Sequence, residues 1–157
     1  MALFPERHTT TTLHLFSGSL TQDVRGIRLD RRRDVCPDLC ADALALPLQD
    51  QSLGLVVADP PYTAAHAARY GGPMPSRRAV LGELARVVRP GGHVVWLDVQ
   101  VPMHRKDIWH WWGCIGIIRS TNHVVRVVTC LERTSWNPGA RENEADPGGE
   151  IAPLDVR

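Results

Sequence analysis

The chain has 157 residues and a formal net charge of +1 at pH 7. This length fits one compact domain and is short for two, and a net charge so close to zero indicates no partner by bulk electrostatics. The four cysteines, at positions 36, 40, 114 and 130, show neither the spacing of a zinc site nor a disulfide pattern. No apolar run approaches the ~20 residues of a membrane span. We therefore expect a cytoplasmic protein without a bound metal or a membrane anchor.

Four apolar runs in the first half of the sequence predict strands at 12–16, 24–29, 38–42 and 53–58. Glycine, proline, serine and aspartate punctuate these runs. The run at 53–58 is continuous rather than alternating, which is typical of a parallel strand buried on both faces. The polar residues 1–11 are expected to form a flexible N-terminus.

The second half predicts a helix that begins near Ser76 and ends at 89–92, because apolar residues recur at helical spacing after a capping serine. A buried strand at 93–99, a helix at 102–112 and strands at 113–118 and 124–132 follow. Strands that alternate with crossovers predict a single α/β domain at 12–133, with a mainly parallel sheet and an antiparallel C-terminal strand. The tail at 134–157 is rich in proline, glycine and acidic residues, and we expect it to be disordered.

The segment Asp59-Pro60-Pro61-Tyr62 directly follows the buried strand at 53–58. Two prolines fix φ and prevent both strand and early helix, so the chain must leave the sheet in a stiff, extended loop. Ligands of open α/β sheets bind at this carboxyl edge. The loop therefore places a carboxylate and an aromatic ring at a fixed separation beside a ligand, although a rigid polar turn is the simpler alternative.

This segment resembles the D-P-P-Y motif of the S-adenosylmethionine-dependent amino-methyltransferases, which methylate adenine N6 or cytosine N4 in DNA. The resemblance implies a Rossmann-like fold and a catalytic loop made of Asp59, Pro60 and Tyr62. Asp59 and the Pro60 carbonyl would accept the two N–H bonds of the acceptor amine, and the Tyr62 ring would stack on the base. Asp59 would also border the cofactor.

Other segments resemble the cofactor-binding parts of the same family, in the same order along the chain. Phe16, Ser17 and Gly18 resemble the loop that approaches the methionine part of the cofactor. Asp30 ends the second strand, where an acid would accept the ribose hydroxyls. The pair Asp42 and Ala43 resembles the stretch that meets the adenine ring. The resemblance covers roughly residues 12–133, and its helix and turn at 84–92 are common to class I methyltransferases.

The sequence departs from the family in its first part. His14 replaces the acid of the first strand, Leu20 replaces the third glycine of the cofactor loop, and Gly54 replaces the acid before the fourth strand. Too few residues lie between Gly18 and Asp30 for a full crossover helix. We therefore expect the first crossover helices to be shortened or missing. One face of the sheet would then be bare, or covered by the N-terminus or a second subunit.

The resemblance favours methylation of an exocyclic amine of a nucleic-acid base, with adenine N6 in DNA ahead of RNA. The partner would be DNA, with a homodimer or a specificity partner as a further expectation, because no segment remains for a target-recognition domain. Residues 63–76 would form a mobile lid. Two alternatives stay open: methylation of RNA or of a protein glutamine amide, and a catalytically silent cofactor-binding module, which the altered first loop favours.

Overall fold

The computed structural model describes residues 11–118 and 124–135, which form one seven-stranded sheet with few helices. The strands are β1 (Thr12–Leu15), β2 (Ile27–Asp30), β3 (Leu39–Cys40), β4 (Leu53–Ala58), β5 (Val88–Asp98), β6 (Trp109–Ile118) and β7 (Val125–Arg133). The helices are α1 (Ala64–Arg69) and α2 (Arg77–Val87), with one 3-10 turn at Arg33–Val35. No helix of the described residues is long and apolar enough to cross a membrane.

The strand order is β3-β2-β1-β4-β5-β7-β6. The strands β3, β2, β1, β4 and β5 run parallel to one another, whereas β7 is antiparallel to both β5 and β6. The predicted fold class is confirmed: the sheet is mainly parallel, with an antiparallel strand at its C-terminal end. The carboxyl ends of β1, β2 and β4 therefore meet at one edge.

The first two crossovers contain no α-helix, as predicted, and a buried arginine holds them together instead. Arg28 of β2 donates from Nη1 to the Leu20 carbonyl at 3.0 Å and from Nη2 to the Cys36 carbonyl at 3.0 Å. It also forms an ion pair with Asp38 at 2.9 Å. A single guanidinium thus satisfies backbone carbonyls of both crossovers, which a helix would otherwise satisfy internally.

Helix α2 covers one face of the sheet. Ser76 caps it, because its side chain accepts from the Ala79 amide at 3.3 Å. Val80 and Leu84 face the sheet and are fully buried in one apolar cluster with Val94 and Trp96. Burial of side chains of this kind contributes about 1.5–3 kcal/mol each. This side of the sheet carries the core of the domain.

The opposite face is only half covered by the described residues. Along β4 and β5, the residues that face α2 are buried, whereas Leu55, Val57, Val95 and Leu97 in between are partly exposed. The expectation of a bare face concerned the side of the first two crossovers, and its cover by the N-terminus or a second subunit stays a prediction.

The predicted helix at 102–112 is wrong. The structure has no helix there, and β6 already begins at Trp109, which pairs with Arg133 of β7. The aromatic run Trp109-His110-Trp111-Trp112 fits a pleated strand better than a helix once a partner strand is present. Strand β5 also begins earlier than the predicted start at 93. It begins at Val88, because Val88 already pairs with Leu53 of β4.

Smaller differences concern β2 and the segment at 63–76. β2 begins at Ile27 rather than near 24, since Gly26 has a φ of +123° and its missing Cβ would lie 2.5 Å from the Thr12 carbonyl oxygen. The segment expected as a lid contains α1, which Thr63 caps by accepting from the His66 amide. Its mobility stays a prediction. Residues 1–10 and 136–157 lie outside the described residues, so the flexible N-terminus and the disordered tail also stay predictions.

Candidate functional site

A cavity of about 470 Å³ opens at the carboxyl ends of β1, β2 and β4. It is the place where ligands of open α/β sheets bind. Every residue that the sequence pattern assigned to the site lines it: Phe16, Ser17, Gly18, Asp30, Asp42, Ala43, Asp59, Pro60 and Tyr62. Segments that are far apart in the sequence are thus brought to one cavity by the parallel strands.

The loop after β1 lines the cavity, and its backbone includes residues with positive φ. Phe16 and Gly18 both have positive φ, at 60° and 50°. The Ser17 amide donates to the Leu29 carbonyl at 3.0 Å, which fixes the loop against β2. The Ser17 hydroxyl is buried and has no hydrogen-bond partner among the described residues. Since buried polar groups normally have partners, this hydroxyl is available to a ligand.

Asp30 is a buried carboxylate that joins the loop after β1 to the end of β2. Its Oδ2 accepts from the Gly18 amide at 2.8 Å, and its Oδ1 accepts from the Arg32 amide at 2.9 Å. Each carboxylate oxygen can accept two hydrogen bonds. Both oxygens of Asp30 therefore keep one position free, which suits a pair of neighbouring hydroxyl groups.

Asp42 and Ala43, which follow β3, also line the cavity. The Asp42 Oδ1 accepts from the Leu44 amide at 2.9 Å, in an Asx turn that follows the short strand β3. Ala43 is buried in the apolar core, whereas the Asp42 side chain is exposed. A small apolar residue beside an acceptor is suited to the edge of a planar heterocycle.

The loop at 59–62 lines the cavity as well. The Asp59 amide donates to the Leu15 carbonyl at 3.3 Å, so the loop is tied to the end of β1. The Tyr62 hydroxyl donates a hydrogen bond to Asp59 Oδ1. The guanidinium of Arg126, from β7, lies 4.8 Å from the centre of the Tyr62 ring. One face of the ring is therefore covered by a cation.

The surroundings of Asp59 raise the pKa of its carboxyl above the usual value. Desolvation is the largest cause, while the hydrogen bond from Tyr62 and the charge of Arg126 act in the opposite direction. Desolvation and the neighbouring Asp59 also raise the pKa of Tyr62, which therefore stays a neutral donor. Asp59 is thus a carboxylate that accepts protons more readily than an ordinary aspartate.

A buried ion pair next to the loop at 59–62 is not predicted by any sequence motif. Asp98, at the end of β5, is fully buried and binds Arg77 of α2 through two hydrogen bonds of 2.6 and 3.0 Å. The Trp96 indole also donates to Asp98, at 3.2 Å. Arg77 donates in addition to the Tyr62 carbonyl at 3.4 Å. The signal that could have revealed the pair is a lone acid at the end of a buried apolar strand.

Three arginines at the mouth of the cavity were also missed as site residues. Arg31 donates to the Gly71 carbonyl at 3.0 Å, and the Arg32 guanidinium lies 5.4 Å from the centre of the Tyr70 ring. Both contacts join the end of β2 to the segment after α1. Arg126 comes from β7, far along the chain, and forms no ion pair with a described carboxylate. No sequence motif marks these residues.

The described residues contain no cluster of three or more His, Cys, Asp or Glu side chains that could hold a metal ion. The polar groups of the cavity are instead carboxylates, hydroxyl groups, arginines and a histidine. Such a set is suited to an organic ligand with hydroxyl and amino groups.

Solved structures share this architecture. A methyltransferase of Listeria monocytogenes described as S-adenosylmethionine-dependent superposes with a TM-score of 0.59 at 7% identity, over 83% of this chain and 94% of that chain. The chain has the fold of S-adenosylmethionine-dependent methyltransferases. The N-methyltransferase NodS of Bradyrhizobium japonicum, in complex with S-adenosyl-L-homocysteine, has a TM-score of 0.56 at 12% identity and covers 79% of this chain and 78% of its own.

A chain in the complex between the Haloferax volcanii Trm112 methyltransferase activator and a methyltransferase also matches, with a TM-score of 0.56 at 16% identity over 80% of this chain and 82% of its own. The sequence matches no protein-family model, and no curated protein sequence matches it. At identities this low, the likeness concerns the fold.

Removal of the Asp98 carboxylate should strongly destabilise the domain. Asp98→Ala leaves Arg77 without its partner in a largely buried position, and loss of one member of a buried pair costs about 3–5 kcal/mol. Asp34→Ala breaks an exposed pair with Arg32 and should change the stability far less, because solvent screens exposed ion pairs. The free energy of unfolding from urea titrations measures both. Equal losses in the two variants would show that the Arg77–Asp98 pair does not anchor the fold.

Proposed function

We propose that this protein transfers a methyl group from S-adenosylmethionine to an exocyclic amino nitrogen of a nucleic-acid base, with adenine N6 in DNA as the favoured acceptor. The observation that carries the proposal is the position of the D-P-P-Y segment, Asp59 to Tyr62. It lies at the carboxyl end of β4 and shares one cavity with Ser17, Gly18 and Asp30. S-adenosylmethionine as the methyl donor is supported by structural neighbours that hold S-adenosylmethionine or S-adenosyl-L-homocysteine.

The residues of the cavity fit the proposed cofactor. Asp30 has two free acceptor positions for the ribose hydroxyls, and Asp42 with Ala43 would meet the adenine ring. The unpartnered Ser17 hydroxyl would border the methionine part, together with the open backbone at Gly18, where even a Cβ would meet nothing within 4 Å. The ribose, adenine and methionine parts of the cofactor would thus each contact a different set of groups in one cavity.

The proposed reaction needs position and charge rather than a strong base. S-adenosylmethionine, when bound, supplies a methyl group on a positively charged sulfur. An exocyclic amine is a weak nucleophile because its lone pair is delocalised into the ring. Asp59 and the Pro60 carbonyl would accept its two N–H bonds and so direct the lone pair towards the methyl group. The raised pKa of Asp59 suits it to take the proton that the amine loses after transfer.

Tyr62 constrains how the acceptor would enter. Its hydroxyl uses Asp59 Oδ1, so the incoming amine would bind Oδ2 or displace the tyrosine hydroxyl. Arg126 lies over one face of the ring, and the His66 ring lies in an edge arrangement with a centroid distance of 6.1 Å. A base would stack on the face opposite Arg126, a contact worth about 1–3 kcal/mol. A base in a duplex would have to be flipped out to reach this position. The arginines at the mouth, Arg31 and Arg126, favour an acceptor that carries phosphates.

A catalytically silent cofactor-binding module is the second candidate. The bond between Tyr62 and Asp59 favours it, because one of the two carboxylate oxygens that could receive the amine is already occupied in this conformation. Cofactor binding is common to both candidates, whereas methyl transfer distinguishes them.

Cofactor binding should depend on Asp30. Asp30→Ala removes the ribose acceptor and also the anchor of the Gly18 amide. We expect S-adenosylmethionine to bind at least about tenfold more weakly, in line with the loss of charge-assisted hydrogen bonds. Isothermal titration calorimetry provides the measurement, with Asp34→Ala as the control because Asp34 is a nearby acid that does not line the cavity. Unchanged affinity in Asp30→Ala would remove this residue from the cofactor site.

Methyl transfer should depend on Asp59 while cofactor binding does not. Asp59→Ala should lower the single-turnover rate by about 100- to 1000-fold, which is the typical cost of one well-placed electrostatic group. The cofactor affinity should stay within about twofold, since Asp59 would face the acceptor. The assay is transfer of labelled methyl to DNA with a paired or an unpaired adenine, with RNA and protein extracts in parallel. Cofactor binding without transfer to any acceptor would favour the silent module.

The pH dependence should follow the pKa of Asp59. The carboxylate form accepts the N–H bond, so activity should be lost as pH falls through the raised pKa, above the ordinary value of about 3.9. Tyr62 and Arg126 both lower this pKa. Tyr62→Phe and Arg126→Met should therefore each move the acid limb of the pH–rate profile to higher pH. Arg69→Met is the control, because Arg69 is exposed on α1 and lies outside the cavity lining. An unmoved limb in both variants would exclude Asp59 as the titrating group.

A further inference from the structure

The strand β6 forms one edge of the sheet, and its sequence is unusual for an edge. Its residues 109–118 read Trp-His-Trp-Trp-Gly-Cys-Ile-Gly-Ile-Ile and include no Lys, Arg, Asp, Glu or Pro. Natural proteins protect edge strands with charges, prolines or short length, because an unpaired strand edge is a template for pairing with another chain. β6 carries none of these and pairs, within the described part of the chain, only with β7.

The exposed apolar side chains of the described residues concentrate on this hairpin. Nine of the ten β6 residues are exposed or partly exposed, and only Trp109 is buried. The large apolar side chains that are exposed on β6 and around the start of β7 are Trp111, Trp112, Ile115, Ile117, Ile118, Val124 and Val125. A bulge at 111–113 interrupts the first third of the strand. The regular part at 113–118 therefore offers an apolar edge whose outer side pairs with no strand of the described residues.

The opposite edge of the sheet is protected in the usual way. β3 consists of only Leu39 and Cys40, so it gives a partner strand very few backbone groups to bond. Head-to-tail pairing of β6 with the β3 edge of another copy is therefore unfavourable, and so is growth into a filament. A closed pair through two β6 strands remains as the arrangement that uses the long edge.

We propose that β6 is a dimerisation strand, and that two copies of this chain pair through residues 113–118 in antiparallel orientation, so that the two sheets become continuous. A twofold axis makes the same strand face itself and closes the assembly. Because the strand carries no charge, no like charges oppose each other across the axis. The proposal does not depend on the proposed methyl transfer.

The tail of this chain is a poorer occupant of the edge. Residues 136–157 include three prolines, three glycines and five acidic residues, a composition that disfavours strand pairing. A second copy of β6 instead offers β-branched side chains and an uncharged backbone edge. Pairing would also support Ile117, whose partner on β7 is Arg126, the residue over the Tyr62 ring.

Two neighbouring positions distinguish edge pairing from packing of a sheet face. The register places Cys114 with Thr129 and Trp96 on the face that α2 covers, and Ile115 with Val128 and Leu97 on the opposite face. In an antiparallel edge pair, side chains on both faces approach their symmetry mates. Cys114→Lys and Ile115→Lys should therefore each weaken a dimer of this kind. A dimer formed through one sheet face would respond to only one of them.

The experiment is sedimentation velocity of the full chain from about 1 to 100 µM, the range of moderate association. We expect a dimer in the wild type, and a dissociation constant raised at least about tenfold in both lysine variants. Leu44→Lys is the control, because Leu44 is as exposed as Ile115, at 45%, and lies after β3 near the other edge of the sheet. Ile115→Thr should retain the dimer, since threonine is β-branched and uncharged.

Amide hydrogen exchange of the wild type gives an independent readout that needs no variant. Protection at 113–118 should rise with protein concentration, because the second copy supplies the hydrogen-bond partners. A monomer over the whole range, or protection that is independent of concentration, would overturn the proposal, the latter by showing that another segment of the same chain covers the edge. A dimer that only one of the two lysine variants disrupts would also overturn it, in favour of face packing.

Discussion

The buried contact between Arg77 and Asp98 is the interaction on which the geometry of the cavity wall depends. Asp98 ends β5 and is fully buried, so its charge is tolerable only because Arg77, the Trp96 indole and the Val99 amide all donate to it. Arg77 is the first residue of α2 and also donates to the Tyr62 carbonyl. One ion pair thus fixes the start of the helix, the end of a strand and the loop that carries Asp59.

The domain is a reduced version of a layered α/β architecture, and polar side chains replace part of what helices normally provide. Arg28 satisfies the carbonyls of the first two crossovers, and Arg86 does the same for the segment before β4, donating to the carbonyls of Leu46 and Leu48. These arginines organise short connections in which buried backbone groups would otherwise lack partners. They do not provide apolar area, so the face of the sheet opposite α2 stays partly exposed. The small number of helices also leaves most residues of β6 uncovered by other described elements.

Within the cavity, desolvation and two neighbours act on Asp59 in opposite directions. Burial raises its pKa, while Tyr62 and Arg126 favour its charged form. The balance suits the proposed role, in which a carboxylate first accepts an N–H bond and then receives a proton. It also makes Tyr62 more than a stacking platform, because its hydroxyl competes with the acceptor for Asp59 Oδ1. This competition is a property of the folded loop and is not part of the role that the resemblance implied for Tyr62.

The sequence by itself determined the α/β class, the parallel strands and part of the set of residues around the cavity. Continuous apolar runs define buried strands, and the prolines after Ala58 force the chain out of the sheet at a defined place, so these features are local. Only the tertiary structure decided that 109–112 is strand and not helix, since pairing with β7 outweighs local pattern. It also decided the Arg77–Asp98 pair and the position of Arg126 over Tyr62. Both depend on contacts between residues far apart in the chain, and no local spacing encodes such contacts.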